Sequence, residues 1–226
     1  MNTRKESYVP LWCKSNYSFL TGASHPDELI EQAARLELPA IGVTDRDGVY
    51  GIVQAHQAVA AQAAEKRRTR LIVGSEITLN ASSYRGAAGP AGDALQEDAG
   101  VRPDTAAGPL PPDVPAVSGF WSAPHGGHAP AGRLVLLAQD RAGYAELCGL
   151  ISKGRRRSPK GASSVTVEEV CEHAEGLVAL WAETGRPAGG GRSEALEHNP
   201  ARALEHATLA ALKEAFGDRL YLAIAR

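Results

Sequence analysis

Short runs of aliphatic residues alternate with longer amphipathic stretches along most of the chain. Each run has the length of a strand that is buried in a sheet, and the segments between the runs carry apolar residues at helical spacing. The six strand candidates are residues 8–14, 40–43, 70–79, 133–138, 176–181 and 219–224. Regular alternation of strands and helices predicts an α/β fold that is built on a parallel sheet or barrel.

Local signals mark the ends of several predicted helices. Ser24 with Pro26 and Asp27 offers a capping hydroxyl, a proline for the first turn and an acid near the positive end of a helix. Thr166 is placed to cap a short helix, and Gly217 is placed to end the last one. The predicted helices cover residues 24–36, 52–65, 140–151, 166–171 and 200–216.

Two breaks in composition divide the chain. Residues 81–132 are rich in Gly, Ala, Pro and Asp, and they cannot bury enough apolar area to offset the entropy lost on ordering. We therefore predict a flexible insertion at 81–132, between a first part at 1–80 and a second part at 133–226. A second glycine-rich break covers residues 185–191. No segment follows the last strand to cover it, so we expect the second part to be truncated before its end.

Composition and charge narrow the class of protein. No apolar run approaches the roughly 18 residues of a membrane span, and the charged start lacks the apolar core of a secretory signal. The cysteines Cys13, Cys148 and Cys171 have no paired spacing, so we expect free thiols and a cytoplasmic protein.

The charge balance bears on nucleic-acid binding. A net charge of −2 argues against the whole chain being a nucleic-acid-binding module, because such modules carry a basic excess. The basic cluster at 66–70 is interpreted as a solvated helix end. We predict that the cluster at 153–160 is an exposed loop, which leaves contact with nucleic acid or a partner open.

Candidate chemistry lies where the strands end. Thr44, Asp45, Arg46 and Asp47 follow the strand at 40–43, and loops at the carboxyl ends of strands gather ligands in α/β proteins. Glu76 lies within the third strand, where a buried acid is costly unless it is paired or bound to a cation.

The histidines add little to this picture. His25 and His56 are interpreted as structural, because neither has a partner at metal-binding spacing. His125 and His128 are two possible ligands inside the predicted flexible segment, where no further ligands lie nearby. The sequence also has no Gly-x-Ser-x-Gly elbow, no Walker lysine loop and no dinucleotide fingerprint.

Several stretches together are similar to one family. The chain resembles the N-terminal PHP (polymerase and histidinol phosphatase) domain of bacterial C-family DNA polymerases, in particular the error-prone branch of the polymerase III alpha-subunit family. The stretches that carry the resemblance are 14–24, 44–51, 74–76, 134–144, 150–152 and 217–222. The resemblance implies a distorted (β/α)7 TIM-like barrel with zinc, manganese or magnesium ions at the strand ends. It also implies phosphoester hydrolysis in intact members, which serves some polymerases as a proofreading exonuclease.

The ligand positions of that family are mostly occupied here by other residue types. The resemblance implies that Trp12 and Lys14 occupy the positions of the two histidines in the family's first His-x-His motif. It also implies that Thr21 occupies the position of the acid before the following glycine. Arg46 occupies the position of the histidine in the family's Thr-Asp-His motif.

Two further ligand positions fall on later strands. The resemblance implies that the acid after the third strand is kept as Glu76. It also implies that Arg133 replaces the histidine that opens the strand at 133–138. The remaining family ligands would lie beyond Arg226.

The replacements have a chemical consequence. Lys14, Arg46 and Arg133 offer no lone pair at neutral pH, whereas divalent metals need imidazole and carboxylate donors. We expect these cations to converge near Glu76, Asp45 and Asp47 in an ion-pair network, with Trp12 adding bulk. No catalytic residue, bound metal or other cofactor is predicted. The vestigial-site positions are Trp12, Lys14, Thr21, Asp45, Arg46, Asp47, Glu76 and Arg133.

Three functions remain open at this point. The leading hypothesis is a non-catalytic scaffold domain of an error-prone DNA polymerase, which would belong to DNA replication and translesion repair. The second is a metal-dependent phosphoesterase or 3′-5′ exonuclease that uses Glu76, Asp45, Asp47 and His125 or His128. The third is a phosphate-binding module in which Lys14, Arg46 and Arg133 recognise the anion.

The resemblance also implies partners. They are the polymerase body, the sliding clamp and accessory mutagenesis proteins, with DNA contacted only indirectly and no membrane.

Overall fold

The computed structural model describes residues 8–64, 69–80, 133–182 and 200–223. The predicted flexible insertion at 81–132 and the glycine-rich break at 185–191 lie outside these residues. The helices are α1 Pro26–Arg35, α2 Ile52–Ala64, α3 Arg141–Arg157, α4 Val167–Glu172 and α5 Pro200–Phe216. The strands are β1 Ala40–Arg46, β2 Arg70–Ile77, β3 Arg133–Ala138, β4 Leu177–Ala182 and β5 Leu220–Ala223.

The five strands form one mixed sheet in the order β1-β2-β3-β4-β5. β1 pairs with β2, and β4 with β5, in parallel, but β3 runs antiparallel to both of its neighbours. The prediction of a parallel sheet is therefore wrong at β3. Its run of apolar residues indicated burial on both faces, and a central antiparallel strand that is covered on both faces has the same pattern.

The sheet of the described residues is not closed, so the predicted TIM-like barrel is not confirmed. The predicted first strand at 8–14 is reduced to an isolated parallel bridge between Cys13 and Val43. Gly42 donates its backbone N–H to the Pro10 carbonyl at 2.8 Å, and Thr44 donates to the Cys13 carbonyl at 2.8 Å. Pro10 has no N–H to extend this pairing.

Three apolar clusters of the described residues pack on the sheet, and the smallest consists of Val135, Leu137 and Leu180. Of the other two, one packs α1 and α2 against β1 through Ile30, Val43, Ile52 and Ala55. The other packs α3, α4 and α5 against the central strands. Its largest fully buried side chains are Trp181, Phe216, Leu134, Leu136, Leu147 and Leu150. None of the described helices is long and apolar enough to cross a membrane.

The helix boundaries follow the local signals, with two corrections. The N-cap residue of α1 is His25, so the prediction that Ser24 supplies the capping hydroxyl is wrong. α1 begins at Pro26, and Glu28 accepts a hydrogen bond from the backbone N–H of His25 at 2.8 Å. α3 continues to Arg157, so the basic cluster predicted as an exposed loop is mostly the last turn of a helix. Lysine and arginine are good helix formers, and cations are favourable at the negative end of a helix.

Candidate functional site

The site lies at the carboxyl ends of β1 and β2, where the segment at 12–18 crosses them. The parallel register places Arg46 beside Glu76 and Asp45 beside Ser75. Gly42 lets the crossing segment approach β1, since a Cβ at this position would lie 2.6 Å from the Leu11 carbonyl oxygen. This close approach brings the side chains that follow Leu11 to the end of β2.

Three of the predicted vestigial-site residues surround Glu76. The ammonium of Lys14 lies 2.6 Å from Glu76 Oε2, and the indole Nε1 of Trp12 donates to the same oxygen at 2.9 Å. Arg46 Nε lies 3.5 Å from the other oxygen, Oε1. The side chains of Lys14 and Glu76 are 10% and 6% exposed, whereas that of Arg46 is 45% exposed. The acid in β2 thus has two close donors on Oε2 and a longer ion-pair contact on Oε1.

Burial lowers the pKa of Lys14 below its ordinary value, and the charges of Arg46 and Arg133 lower it further. The hydrogen bond and negative charge of Glu76 act in the opposite direction. For the pKa of Lys14, the lowering caused by loss of hydration is therefore larger than the rise caused by the ion pair with Glu76.

Arg133 acts on the site through its charge. It is the exposed first residue of β3, and it forms no ion pair with any other described residue. Its positive charge nevertheless contributes to the lowering of the pKa of Lys14. The expected convergence of cations on Glu76 thus involves Lys14 and Arg46 by contact and Arg133 through its field.

Asp45 has a different set of partners from those expected. Its Oδ1 accepts from the backbone N–H of Ser15 at 2.8 Å and from the Ser18 hydroxyl at 2.7 Å, and its Oδ2 accepts from the Ser15 hydroxyl at 2.7 Å. The Thr44 hydroxyl donates to the Cys13 carbonyl at 3.2 Å. Asp45 therefore anchors the loop that follows Lys14 and forms no ion pair within the described part of the chain.

Asp47 is likewise held by neutral donors. The backbone N–H and the hydroxyl of Thr78 each donate to its carboxylate at 2.7 Å. Burial raises the pKa of Asp47, and the hydrogen bonds of Thr78 and the charges of Arg155 and Arg46 partly offset this rise. The predicted arginine–carboxylate network is thus confined to Glu76 among the described residues.

Thr21 lies on the turn beside the site and not in the Glu76 cluster. Its hydroxyl donates to the Ser18 carbonyl at 2.9 Å, and its side chain is exposed. His125 and His128 lie outside the described residues.

Sequence reasoning missed the hydroxyl groups that satisfy the aspartates. Ser15 and Ser18, three residues apart in a polar loop, both donate to Asp45, and Thr78 donates to Asp47. A signal was present, because short hydroxyl side chains in loops commonly bond to nearby acids and backbone groups.

These donor groups do not fit a divalent metal cluster. Zinc and manganese sites use neutral imidazole nitrogen and carboxylate oxygen, and here ammonium, guanidinium and indole N–H groups face Glu76. No group of three or more His, Cys, Asp or Glu residues in the described ranges is arranged to hold a metal ion. The cluster can act as a buried ion pair with a half-exposed guanidinium on its rim.

Comparison with known proteins gives a consistent match. The sequence profile of the PHP domain matches residues 11–226. The error-prone DNA polymerase of Anaeromyxobacter sp. (strain K) is 33% identical over 97% of this chain. That of Pseudomonas paraeruginosa (strain DSM 24068 / PA7) is 34% identical over 79% of the chain. The chain spans only 14% and 12% of the length of these two relatives.

A solved structure shows a more distant likeness. It is a provisionally assigned metal-dependent phosphoesterase from Bifidobacterium adolescentis ATCC 15703, with 14% sequence identity and a TM-score of 0.46. The alignment covers 91% of this chain and 75% of that protein. This likeness is too weak to carry an argument about function.

Proposed function

Because the chain belongs to the PHP domain family, we propose that it is a non-catalytic PHP domain of a DNA polymerase that serves as a structural scaffold. Its relatives are error-prone DNA polymerases of several times its length, and this supports a role within such an assembly in DNA replication or translesion repair. The polymerase body and other proteins of the assembly are its proposed partners. DNA is contacted only indirectly.

One observation carries the proposal. Lys14 and Trp12 both direct hydrogens at Glu76 Oε2, and Arg46 stands at Oε1. A metal ion at this carboxylate would have to displace the Lys14 ammonium from a contact of 2.6 Å and would meet the positive field of three cations. The ion pair therefore replaces a metal as the partner of the buried acid.

A catalytic, metal-dependent function would require metal-ligand atoms that the described residues do not supply. A metal-dependent phosphoesterase or exonuclease built on Glu76, Asp45 and Asp47 would need their oxygens free for metal ions. The carboxylates of Asp45 and Asp47 are instead occupied by Ser15, Ser18 and Thr78.

The anion-binding alternative needs free cations. Lys14 is buried against Glu76, which leaves Arg46 and Arg133 as the accessible members of the proposed cluster. Two guanidinium groups, one of which already contacts Glu76, are a weak phosphate site.

The proposal is tested by metal analysis and a hydrolysis assay on the purified chain. After incubation with zinc or manganese and gel filtration, mass spectrometry of the elements should find no stoichiometric metal. The chain should not cleave bis-p-nitrophenyl phosphate or a single-stranded oligonucleotide above the rate of a Glu76→Gln variant. Bound metal together with hydrolysis that depends on Glu76 would refute the non-catalytic role.

A phosphate titration completes the test. We expect no saturable binding of inorganic phosphate by calorimetry, in the wild type or in an Arg46→Ala variant. Saturable binding that is lost in Arg46→Ala would instead favour the anion-binding module.

A further inference from the structure

Four large apolar side chains are exposed next to the Glu76 cluster. Tyr17, Phe19 and Leu20 lie on the loop that Asp45 anchors, and Tyr50 lies just before α2, with exposed fractions of 53%, 66%, 61% and 57%. The rings of Tyr17 and Tyr50 are 6.4 Å apart between centroids, so the two segments share one surface. We call these four residues the aromatic surface.

The backbone beneath this surface is held by buried hydrogen bonds. The Ser18 carbonyl accepts from the backbone N–H groups of Thr21 at 2.9 Å and Gly22 at 3.0 Å, and the Ser18 hydroxyl binds Asp45. Gly22 packs against the same loop, because a Cβ at this position would lie 2.1 Å from the Ser15 carbonyl oxygen. The exposed side chains are therefore displayed on an ordered frame, which reduces the entropy that a partner would have to overcome.

Leu20 combines two features that are unfavourable for an isolated domain. Its φ of +62° lies in the left-handed region, where a side chain is strained, and its side chain is mostly exposed. It occupies the third position of a turn closed by Thr21 and Ser18, which glycine or asparagine fills more easily. Backbone strain of this kind concentrates at sites that bind or switch.

Two arginines border the aromatic surface. The backbone N–H of Arg46 donates to the Ser18 hydroxyl at 2.9 Å, which brings Arg46 beside the loop. Its guanidinium is half exposed and meets Glu76 only at 3.5 Å. The guanidinium of Arg155 lies 5.9 Å from the centre of the Tyr50 ring. Aromatic side chains with arginine are the composition of the energetic centres of protein interfaces.

We propose that the aromatic surface binds an apolar segment of a separate partner protein that carries a carboxylate opposite Arg46. This inference rests on the proposed scaffold function, because a non-catalytic domain functions by binding other proteins. The charge of Arg46 selects the acidic group, and the exposed Phe19 and Leu20 select apolar side chains.

Single-stranded nucleic acid fits the same residues less well. Leu20 has no ring on which a base could stack, and Arg155 already donates to the carbonyls of Asp47 and Ala162. A polyanion requires a row of available cations along its backbone, and Arg46 alone does not supply one.

The test uses a random peptide library displayed on phage. Selection on the full chain, with counter-selection on a Phe19→Ser/Tyr50→Ser variant, should enrich peptides that combine Leu, Phe or Trp with Asp or Glu. Synthetic copies of these peptides should bind the wild type in calorimetry. Their affinity should fall about tenfold or more with Phe19→Ser, as expected for an interface anchor.

Arg46 is tested by a double-mutant cycle. Replacing the acids of a selected peptide by amides should weaken binding to the wild type but leave binding to Arg46→Gln nearly unchanged. A Leu36→Ser variant serves as the matched control. Leu36 is 60% exposed at the far end of α1, so its replacement should leave peptide affinity intact.

Four outcomes would overturn the inference, and three of them come from the binding experiments. These three are failure to enrich any peptide, peptide binding that Phe19→Ser leaves intact, and binding of an oligo(dT) strand that is lost with the same variants. Concentration-dependent self-association that Phe19→Ser abolishes would identify a second copy as the occupant and would also overturn it. Each readout is independent of metal content and hydrolysis, so this inference and the non-catalytic proposal can fail separately.

Discussion

Arg155 donates two hydrogen bonds, through Nε at 3.1 Å and Nη2 at 2.8 Å, to the backbone carbonyl of Asp47. The two residues are 108 positions apart, so the last turn of α3 is tied to the turn that follows β1. Asp47 itself has a φ of +49°, and its N–H donates to the Glu76 carbonyl at 2.7 Å. The fork of one guanidinium thus holds the strained turn beside the Glu76 cluster.

Arg155→Lys should destabilise the protein although it keeps the charge. An ammonium cannot reproduce the planar fork, so a buried carbonyl loses charge-assisted hydrogen bonds, at a cost of about 1–3 kcal/mol. Urea unfolding followed by tryptophan fluorescence measures the difference. Arg156→Lys is the matched control, since Arg156 is exposed on the same turn. Equal stability of the two variants would mean that the fork contributes nothing.

Lys14→Met should be strongly destabilising for a different reason. It leaves the Glu76 carboxylate buried with only Trp12 and a long contact to Arg46, and removing one partner of a buried ion pair costs about 3–5 kcal/mol. Adding Glu76→Gln to this variant should recover a large part of the loss, because the unpaired charge is then gone. The free energies of unfolding of the two single variants and the double variant, from urea titrations, give the coupling.

The control for this prediction is an exposed ion pair. Lys153 Nζ lies 3.3 Å from Glu172 Oε2, with side chains that are 44% and 66% exposed. Lys153→Met should therefore cost only about 0–1 kcal/mol. If Lys14→Met costs no more than this, the buried pair does not stabilise the site.

The pairing of Glu76 was predictable, and its physical reason is general. A carboxylate within a buried strand needs a cation, and the resemblance placed Lys14 and Arg46 beside it. The structure brings both residues to Glu76. That this arrangement excludes catalysis stays a prediction.

The partners of Asp45 and Asp47 were not predictable in the same way. Their acids bind Ser15, Ser18 and Thr78, whose positions depend on loop geometry that no periodicity records. Charge led the prediction toward arginine, but neutral hydroxyl and amide donors satisfied these acids locally.

The direction of β3 and the length of α3 could not be predicted from the pattern of apolar residues either. β3 is apolar on both faces, and that pattern gives burial but not orientation. The sequence predicts the end of α3 too early, because Gly154 followed by a run of arginines is also typical of a loop. In the structure Gly154 is buried in the helix, with Ser163 and Val165 so near that a Cβ would lie 2.7 and 2.8 Å from them.

The pH dependence of stability should reveal the buried state of Asp47. Burial raises its folded pKa above the ordinary 3.8, so between these two values the folded protein holds a proton that the unfolded chain has lost. Its contribution to stability therefore increases as the pH falls from neutrality through the folded pKa. As the pH falls, the unfolding free energy of the wild type should rise relative to that of Asp47→Asn. Urea titrations from pH 7 to 4 measure this difference.

Glu169 provides a control of opposite sign. The hydrogen bond from Arg157 lowers the pKa of Glu169 below 4.5, so its stabilising contribution is present above 4.5 and is lost as the pH falls through the folded pKa. The advantage of wild type over Glu169→Gln should shrink on acidification. If both differences change in the same direction, the assignment for Asp47 is wrong.

Leu20→Gly should separate stability from binding. Glycine accepts a φ of +62° without strain, so the variant should be as stable as the wild type or more stable by about 0.5–1 kcal/mol. It should nevertheless bind the selected peptides more weakly, because an exposed apolar contact is lost. Leu20→Ala keeps the Cβ and its strain, so it should lose binding without the gain in stability. Chemical unfolding and peptide titrations of both variants measure the two effects.

Restoring donor side chains provides the most direct test of why the site does not fit a metal. In a Trp12→His/Lys14→His/Arg46→His variant, three imidazoles would replace the indole, ammonium and guanidinium groups that now face Glu76, a donor set that suits zinc. We expect this variant to retain about one equivalent of zinc after gel filtration and to unfold at a higher temperature with zinc than without it. The wild type should do neither. A variant with glutamine at the same three positions removes the same cations without adding imidazole, so it separates ligand chemistry from loss of charge. Zinc retained equally by the wild type and the histidine variant would show that the cations do not exclude metal, and zinc retained equally by the glutamine variant would show that positive charge alone had excluded it.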